Sequence, residues 1–524
     1  MWRIVFYVLS VLALAAIAAL APWHPGALYA LIVVVPLIGL GVYDVFSTHN
    51  VLSNYPVIGH IRYVMEFISP EIRQYFLEDD KSGRPFNRQQ RDLIKSRGAG
   101  NAGTHPFGTE YDVDAEGFNF ALHSISVKDV NDDCMRVTIG GPQCTKPYNS
   151  SRMNISAMSF GALSSNAVLA MNQGAKLGGF AQDTGEGGLT PYHLEYGADV
   201  IWEIGSGYFG CRTKEGRFND AEFATKSNKD EIRMIEIKIS QGAKPGHGGM
   251  LPASKVNKQI AQVREVPENE DCLSPASHPE FSTPRELMDF IVRLRKLCNG
   301  KPVGFKLCVG RRSEFMGICK AMLDTGVRPD FITIDGAEGG TGAAPIELSD
   351  NIGLTINEAL PFVHSLLTGL DLRKDIRLIA SGKVVSGFDM VMKIALGADV
   401  CNVARPMMFA VGCIQAMRCH TNTCPTGVAT QDPKRARALN VDDRAQHVMR
   451  YHKNTISSFK ELCGALGCSR PEDLGPDRIY RRASAGVAEA YDELFYYARE
   501  GEFLSGPVPK HWQHDWDIAS VDRF

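Results

Sequence analysis

Two long apolar runs open the chain. Ile4 to Ala21 carries no charge, and after the break Pro22-Trp23-His24-Pro25-Gly26 a second run extends from Ala27 to Tyr43. Each is long enough to cross a hydrocarbon core of roughly 30 Å. The loop between them holds no Lys or Arg, whereas Arg3 precedes the pair and Arg62, Arg73, Lys81 and Arg84 follow it. That asymmetry predicts a transmembrane hairpin over residues 1–46 with both ends in the cytoplasm, hence a multi-pass protein of the plasma (inner) membrane whose remainder faces the cytoplasm. Pro36 permits a kink in the second span. A cleaved signal peptide ending near Ala19-Leu20-Ala21 and a buried soluble helix pair are the alternatives.

Residues 47–149 mix aromatic residues with charges, and Lys81 to Thr104 is rich in Arg, Gln, Gly and Asn; the segment reads as a linker or N-terminal arm. From residue 150 short β-branched or apolar runs alternate with helix-period segments such as Ser164 to Ala175, Pro284 to Leu297 and Gly387 to Leu396. The predicted strands are Met153 to Met158, Gly179 to Gln182, Val200 to Ile204, Met234 to Ile239, Val303 to Leu307, Phe331 to Ile334, Ile376 to Ala380 and Val400 to Ala404. Eight strands alternating with helices over this length predict an α/β fold, a (β/α)₈ TIM barrel over residues 150–430, with a doubly wound open sheet as the alternative. Nearly every run ends in a polar or Gly-rich cluster, and in a barrel those ends meet on the face where active sites are built. Residues 431–524 read as a helical C-terminal extension, with Ala436 to Leu439 and Val487 to Arg499 as helical runs and Trp512 to Phe524 as a partner-docking tail or a frayed end.

Composition narrows the function. The 56 basic and 59 acidic residues leave a net charge of -3, so no field gathers nucleic acid. Thirteen cysteines, an odd number widely scattered, argue for a reducing compartment and against a secreted disulfide framework.

Three places carry chemistry. Ser381-Gly382-Lys383 and Ala404-Arg405 follow the seventh and eighth strands, where backbone N–H groups and two cations suit a cofactor phosphate. Lys306 is a charge inside an apolar strand, either a rim residue or a cation placed against an anionic ligand such as a reduced flavin ring. Cys413, Cys419 and Cys424 form a C-x₅-C-x₄-C cluster followed by Pro425, a pattern for metal or Fe-S ligation. Three ligands suit a 3Fe-4S cluster, or a 4Fe-4S cluster with one other ligand; zinc with His420 is the alternative, and Cys401 reads as a core thiol before a fourth ligand.

Five ordered blocks then carry a resemblance. Ser156-Ala-Met-Ser-Phe-Gly-Ala-Leu-Ser164, Asp183-Thr-Gly-Glu-Gly-Gly188, Ile237-Lys-Ile-Ser-Gln-Gly-Ala-Lys-Pro-Gly246, Gly339-Gly-Thr-Gly-Ala-Ala-Pro345 and Cys419-His-Thr-Asn-Thr-Cys-Pro-Thr-Gly-Val-Ala-Thr-Gln431 resemble the synthase domain of the glutamate synthase large subunit over about residues 150–435. The resemblance implies an FMN barrel with a 3Fe-4S cluster that reduces the imine of 2-oxoglutarate to L-glutamate. It places Gln241, Lys244 and Arg264 at the substrate carboxylates and gives Gln241, Lys244 and Glu186 catalytic roles. Met158, Ser159, Lys306, Gly339, Gly340, Thr341, Ser381, Gly382, Lys383 and Arg405 fall at the flavin, and Cys413, Cys419 and Cys424 at the cluster.

The chain departs from that family in three ways. It begins Met1-Trp2-Arg3 where glutamate synthases begin with a glutaminase cysteine, so no ammonia is expected in cis. His247 stands where the family usually has an acidic residue. No dinucleotide fingerprint follows a strand. The expected partners are therefore 2-oxoglutarate with ammonia or an amine, an external electron donor (ferredoxin or a reductase subunit), and a separate glutaminase or amine-donating subunit. An N-methylglutamate synthase-like subunit and a membrane-held electron-transfer subunit without turnover are the competing readings.

Overall fold

A computed structural model describes every residue except Ala102 and His105, which lie within the expected linker. The chain divides into two units, Met1–Arg88 and Gln89–Phe524.

The first unit begins with helices α1 (Trp2–Leu20) and α2 (Leu31–Phe46), the latter containing Pro36. With the turn Pro25–Ala30 ahead of α2, these are two helical stretches long and apolar enough to cross a membrane. Most of their large apolar side chains face outward. At the end of α2, Asp44 is fully buried, accepts from the Val57 N–H at 2.9 Å and pairs with His60 Nε2 at 2.9 Å.

The second unit is a closed parallel barrel. Its strands are β1 (Met153–Ile155), β2 (Ala181–Asp183), β3 (Asp199–Ile204), β4 (Ile232–Lys238), β5 (Val303–Leu307), β6 (Phe331–Asp335), β7 (Arg377–Ser381) and β8 (Val400–Val403). They follow one another around the sheet, and β8 closes on β1 through Cys401 opposite Met153 and Val403 opposite Ile155. All eight lie where the apolar runs predict them, to within three residues at either end, and the open-sheet alternative is excluded.

The expected arm is folded. Helix Arg88–Ala99 ends against the C-terminal region, where Asn454 donates to the Arg97 carbonyl at 2.9 Å and Arg97 to Thr455 Oγ1 at 3.2 Å. An antiparallel hairpin, Arg136–Ile139 with Tyr148–Ser151, closes the bottom of the barrel. Its Val137, Ile139 and Tyr148 pack with Ala181, Ile201, Met234, Phe331, Ile379 and Val400, the apolar floor of the interior.

The C-terminal region is dominated by a 25-residue helix, Val441–Ala465. The expected helix over Val487 to Arg499 is confined to one turn, Tyr491–Leu494. Val487–Ala490 pairs instead with Ile479–Ser484, the turn being made by Gly486 at φ +77°, and Asn119–Ala121 adds a third strand. A pairing partner so distant in sequence is invisible to local periodicity. The terminal segment docks in cis: Trp512 is buried edge-on against Phe362, and Lys320 donates to the carbonyls of Trp516 and Ala519.

Candidate active site

Side chains two apart on a strand share a face. Two residues above the apolar floor, the same strands therefore present Asp183, Glu203, Glu236, Thr333, Ser381 and Asn402, a buried polar layer just below the carboxyl-terminal ends. Carboxylate oxygens of Asp183, Glu203 and Glu236 lie within 4.8 Å of one another. Lys306 reaches into this group from β5, ion-paired with Glu203 and 3.6 Å from Glu236, while Thr333 donates to Glu236. Burial works against the Lys306 ammonium, but the surrounding carboxylates outweigh it and hold the charge. Burial, with Glu203 and Glu236 close by, pushes the Asp183 carboxyl well above its ordinary value. Lys306, expected to face a flavin ring, thus has its ammonium engaged by acidic partners inside the barrel. Asp183 Oδ2 and Asn402 Oδ1 are buried without a protein hydrogen-bond partner.

One layer higher, Lys238 ends β4 and pairs with Glu186 at 2.8 Å. Burial acts to raise the Glu186 carboxyl, but Lys238, assisted by Lys244 and Arg264, brings it down to about 2. Glu186, Lys238, Gln241 and His247 line one pocket with about 310 Å³ of empty space. Lys244 is buried, donates to the Gly248 carbonyl at 2.8 Å, and is lowered by burial against the pull of Glu186. Arg264 donates to the Phe160 carbonyl at 3.1 Å and lies 5.1 Å over the Phe209 ring. The expected substrate residues thus share one electrostatic neighbourhood: Gln241 lines the pocket, and Lys244 and Arg264 act on Glu186 within it.

Two residues passed over in the sequence support this site. Lys238 belongs to a quoted block, and its alternation with Glu236 was the available signal. His278, stacked 4.7 Å on Phe281, lies 2.7 Å from the Lys238 carbonyl through Nε2 and 3.1 Å from Tyr208 Oη through Nδ1. Burial lowers its pKa to about 4, so the ring is neutral; it donates from Nε2 and accepts at Nδ1, which fixes the backbone of Lys238.

On the neighbouring side the loops after β1, β2, β6, β7 and β8 converge. Ser159, following Met158, accepts from the Gly187 N–H at 3.1 Å. Ser381 Oγ is 3.3 Å from Ser156 Oγ. Arg405 donates to the Glu338 carbonyl at 2.8 Å, and a Cβ on Gly340 would stand 2.9 Å from its Nη1. Gly339 abuts the Gly242–Ala243 backbone, Thr341 is exposed beyond it, and Gly382 lies against Glu338 and Ile356. Lys383 holds a left-handed φ of +45° after Gly382. Two cations and glycine backbone at the ends of β7 and β8 fit a phosphate-bearing cofactor. Gly242 locks the β4 and β6 loops together: its N–H donates to Asp335 Oδ2 at 2.7 Å, and a Cβ would fall 1.8 Å from the Gly336 carbonyl oxygen. Gly242→Ala should cost about 3 kcal/mol or more through forced backbone displacement, read as a lower midpoint in urea unfolding.

Cys413, Cys419 and Cys424 line a second pocket, about 270 Å³, with Met408, Ile414, Val428 and Ala429. All thirteen cysteines are free thiols. Three convergent thiols in an apolar pocket fit a three-cysteine cluster. His420 is exposed and outside the lining, which disfavours the zinc alternative, and Cys401 is a buried thiol within β8. A Cβ on Gly342 would stand 3.0 Å from Cys419 Cβ, so the β6 loop abuts the cysteine loop. Lys255, also missed in the sequence, is buried beside the cysteines and donates to three carbonyls.

Known proteins give this geometry a family. The glutamate synthase large subunit-like protein YerD of Bacillus subtilis (strain 168) is 38% identical over 489 residues, 86% of this chain and 93% of that protein. An archaeal glutamate synthase (NADPH) of Methanocaldococcus jannaschii is 36% identical over 349 residues, 66% of this chain and 65% of that protein. One of Archaeoglobus fulgidus is 35% identical over 324 residues, 62% of this chain and 60% of that protein. The chain thus spans nearly all of the first and just under two thirds of each archaeal protein. Residues 125–469 also match the family model described as the conserved region in glutamate synthase, and on this match and these identities the chain belongs to the glutamate synthase family.

Proposed function

We propose that this chain is a glutamate synthase-type oxidoreductase, with FMN and a 3Fe-4S cluster, that reduces the imine formed from 2-oxoglutarate and ammonia or an amine. The product is L-glutamate or its N-substituted analogue. The observation that carries the reading is the pocket where Gln241, the Glu186–Lys238 pair and the nearby Lys244 and Arg264 set cations around a single carboxylate. A dicarboxylate needs such cations, and arginine offers a bidentate fork.

Condensation of the keto group with the amine releases water, and saturating the C=N bond takes two electrons and two protons. When bound, the flavin would supply hydride chemistry and the cluster would give a path for electrons from an external donor, a ferredoxin or reductase subunit. Lys244, Arg264 and Gln241 hold the carboxylates. Lys238, ion-paired with Glu186, is placed to give the proton that goes to nitrogen and to regain one from solvent. Lys383, Arg405 and the amides of Gly339, Gly340 and Gly382 would hold the flavin phosphate, and Cys413, Cys419 and Cys424 would hold iron. The amine comes from solution or from a separate glutaminase or amine-donating subunit. The two apolar N-terminal helices tether the enzyme to the inner membrane, with the barrel on the cytoplasmic side by the distribution of Arg and Lys.

The test is anaerobic reoxidation of the dithionite-reduced protein, followed by flavin absorbance. Reoxidation only when 2-oxoglutarate and ammonium are both present, with glutamate formed, is expected. No reoxidation with any amine in the presence of bound flavin and iron would overturn the reading. Lys244→Ala should raise KM for 2-oxoglutarate ~30-fold, the loss of about 2 kcal/mol of charged hydrogen bonding, with the flavin spectrum unchanged.

A further inference from the structure

We propose that Lys255 is a positioning residue that ties the cysteine loop to the substrate-binding excursion and acts as the buried counter-cation of the cluster. The proposal rests on the iron–sulfur assignment made above. Residues 239–283, between β4 and helix Pro284–Leu297, form one folded excursion. It contains the pairing of Met250–Leu251 with Cys272–Leu273 and helix Lys258–Arg264, capped by Asn257. Lys244 lies near its start and Arg264 ends its helix. Lys255 stands at the corner between the pairing and the helix, 2% exposed.

Its ammonium has three protons and uses all of them on backbone carbonyls: Cys419 at 2.7 Å, Ala429 at 3.1 Å and Ala162 at 3.3 Å. The first two belong to the cysteine loop and the third to the loop after β1. Asn422 Nδ2 adds a second tie, donating to the Ser254 carbonyl at 3.0 Å. Arg264 grips the same β1 loop through the Phe160 carbonyl, and Gln431 donates to Gly161 and Leu163 there. Cysteine loop, β1 loop and substrate cations therefore share one hydrogen-bonded frame.

The charge is the second argument. Among the described residues no carboxylate pairs with Lys255, and the ionisable groups facing it are Cys419 and Cys424. A buried ammonium with carbonyl partners alone is costly. An anionic cluster on those thiolates would balance it, and a nearby cation would favour the reduced, more negative state of that cluster.

Full-length protein carrying Lys255→Met or Lys255→Arg tests both roles through iron and sulfide per flavin, the cluster midpoint potential, and the split of KM from kcat for 2-oxoglutarate. Lys255→Met should lose most of its iron, shift the midpoint of the remaining cluster to more negative values, and raise KM severalfold. Lys255→Arg should keep the midpoint near that of the unaltered protein. Asn422→Ala removes a tie and no charge, so it should lower iron retention without moving the midpoint; with Lys255→Arg it carries the test if Lys255→Met fails to fold. Iron content, midpoint and KM all unchanged in Lys255→Met would overturn the proposal. Absence of iron from the unaltered protein would overturn the cluster assignment, and is read before any variant.

Discussion

Lys238→Met is expected to lower kcat/KM about a thousandfold with the flavin still bound, the scale seen when a preorganised charge is removed from a buried site. Lys238 ends β4 in the pocket that Glu186 and Gln241 also line, and its ammonium is what overrides the burial of Glu186. Without it, the strongest opposition to burial is lost and the Glu186 carboxyl shifts upward. The sign for stability follows. With Lys238 present, Glu186 titrates at about 2, so its pairing stabilises the fold fully above pH 4.5 and the contribution fades as pH falls toward 2. The deficit of the variant should therefore be widest at neutral pH and shrink toward pH 3. Thermal unfolding of both proteins across pH 3 to 8 checks this. A deficit that does not change with pH, or full activity, would show that the pair does not act as described.

Cys424→Ala should empty the cysteine pocket of iron and reduce donor-driven turnover at least ~100-fold, since replacing an outer-sphere partner of a metal site already costs 10- to 100-fold. Reduction of the flavin by dithionite should persist, because Ser381, Gly382, Lys383 and Arg405, the residues proposed for the flavin, do not line this pocket. Iron analysis and stopped-flow flavin reduction with dithionite and with a one-electron protein donor separate the two effects. Retention of iron by the variant would remove Cys424 from the ligand set.

The barrel was legible because buried parallel strands are near-continuous apolar runs, and runs such as Val303 to Leu307 stand out without knowledge of their neighbours. The cysteine segment was legible because its ligands are close in sequence. The polar layer was not: Asp183, Glu203 and Glu236 come from three strands, and only the common register two residues above the floor shows that they meet. The same holds for the third strand at Asn119–Ala121, whose partner Ile479–Ser484 follows the whole barrel. Lys238, Lys255 and His278 were missed for a different reason. Each looks like an ordinary polar residue until burial removes the water that would otherwise explain it.

The seam between β8 and β1 has a consequence for how the chain is made. Helix Val441–Ala465 packs across it, against Ser165–Gly178 after β1 and Gly387–Ala395 before β8. Its His452 lies against the seam itself, with Nε2 3.0 Å from the Met153 carbonyl and its ring stacked 3.9 Å on Phe180. The first strand leaves the ribosome long before either the last strand or this clasp exists. Half-barrels emerging from the tunnel hold unpaired strand edges, and closure waits on the most non-local pairing in the barrel. Synthesis therefore leaves a long interval in which the unsealed sheet needs protection, and the clasp that ends it is nearly the last part to arrive.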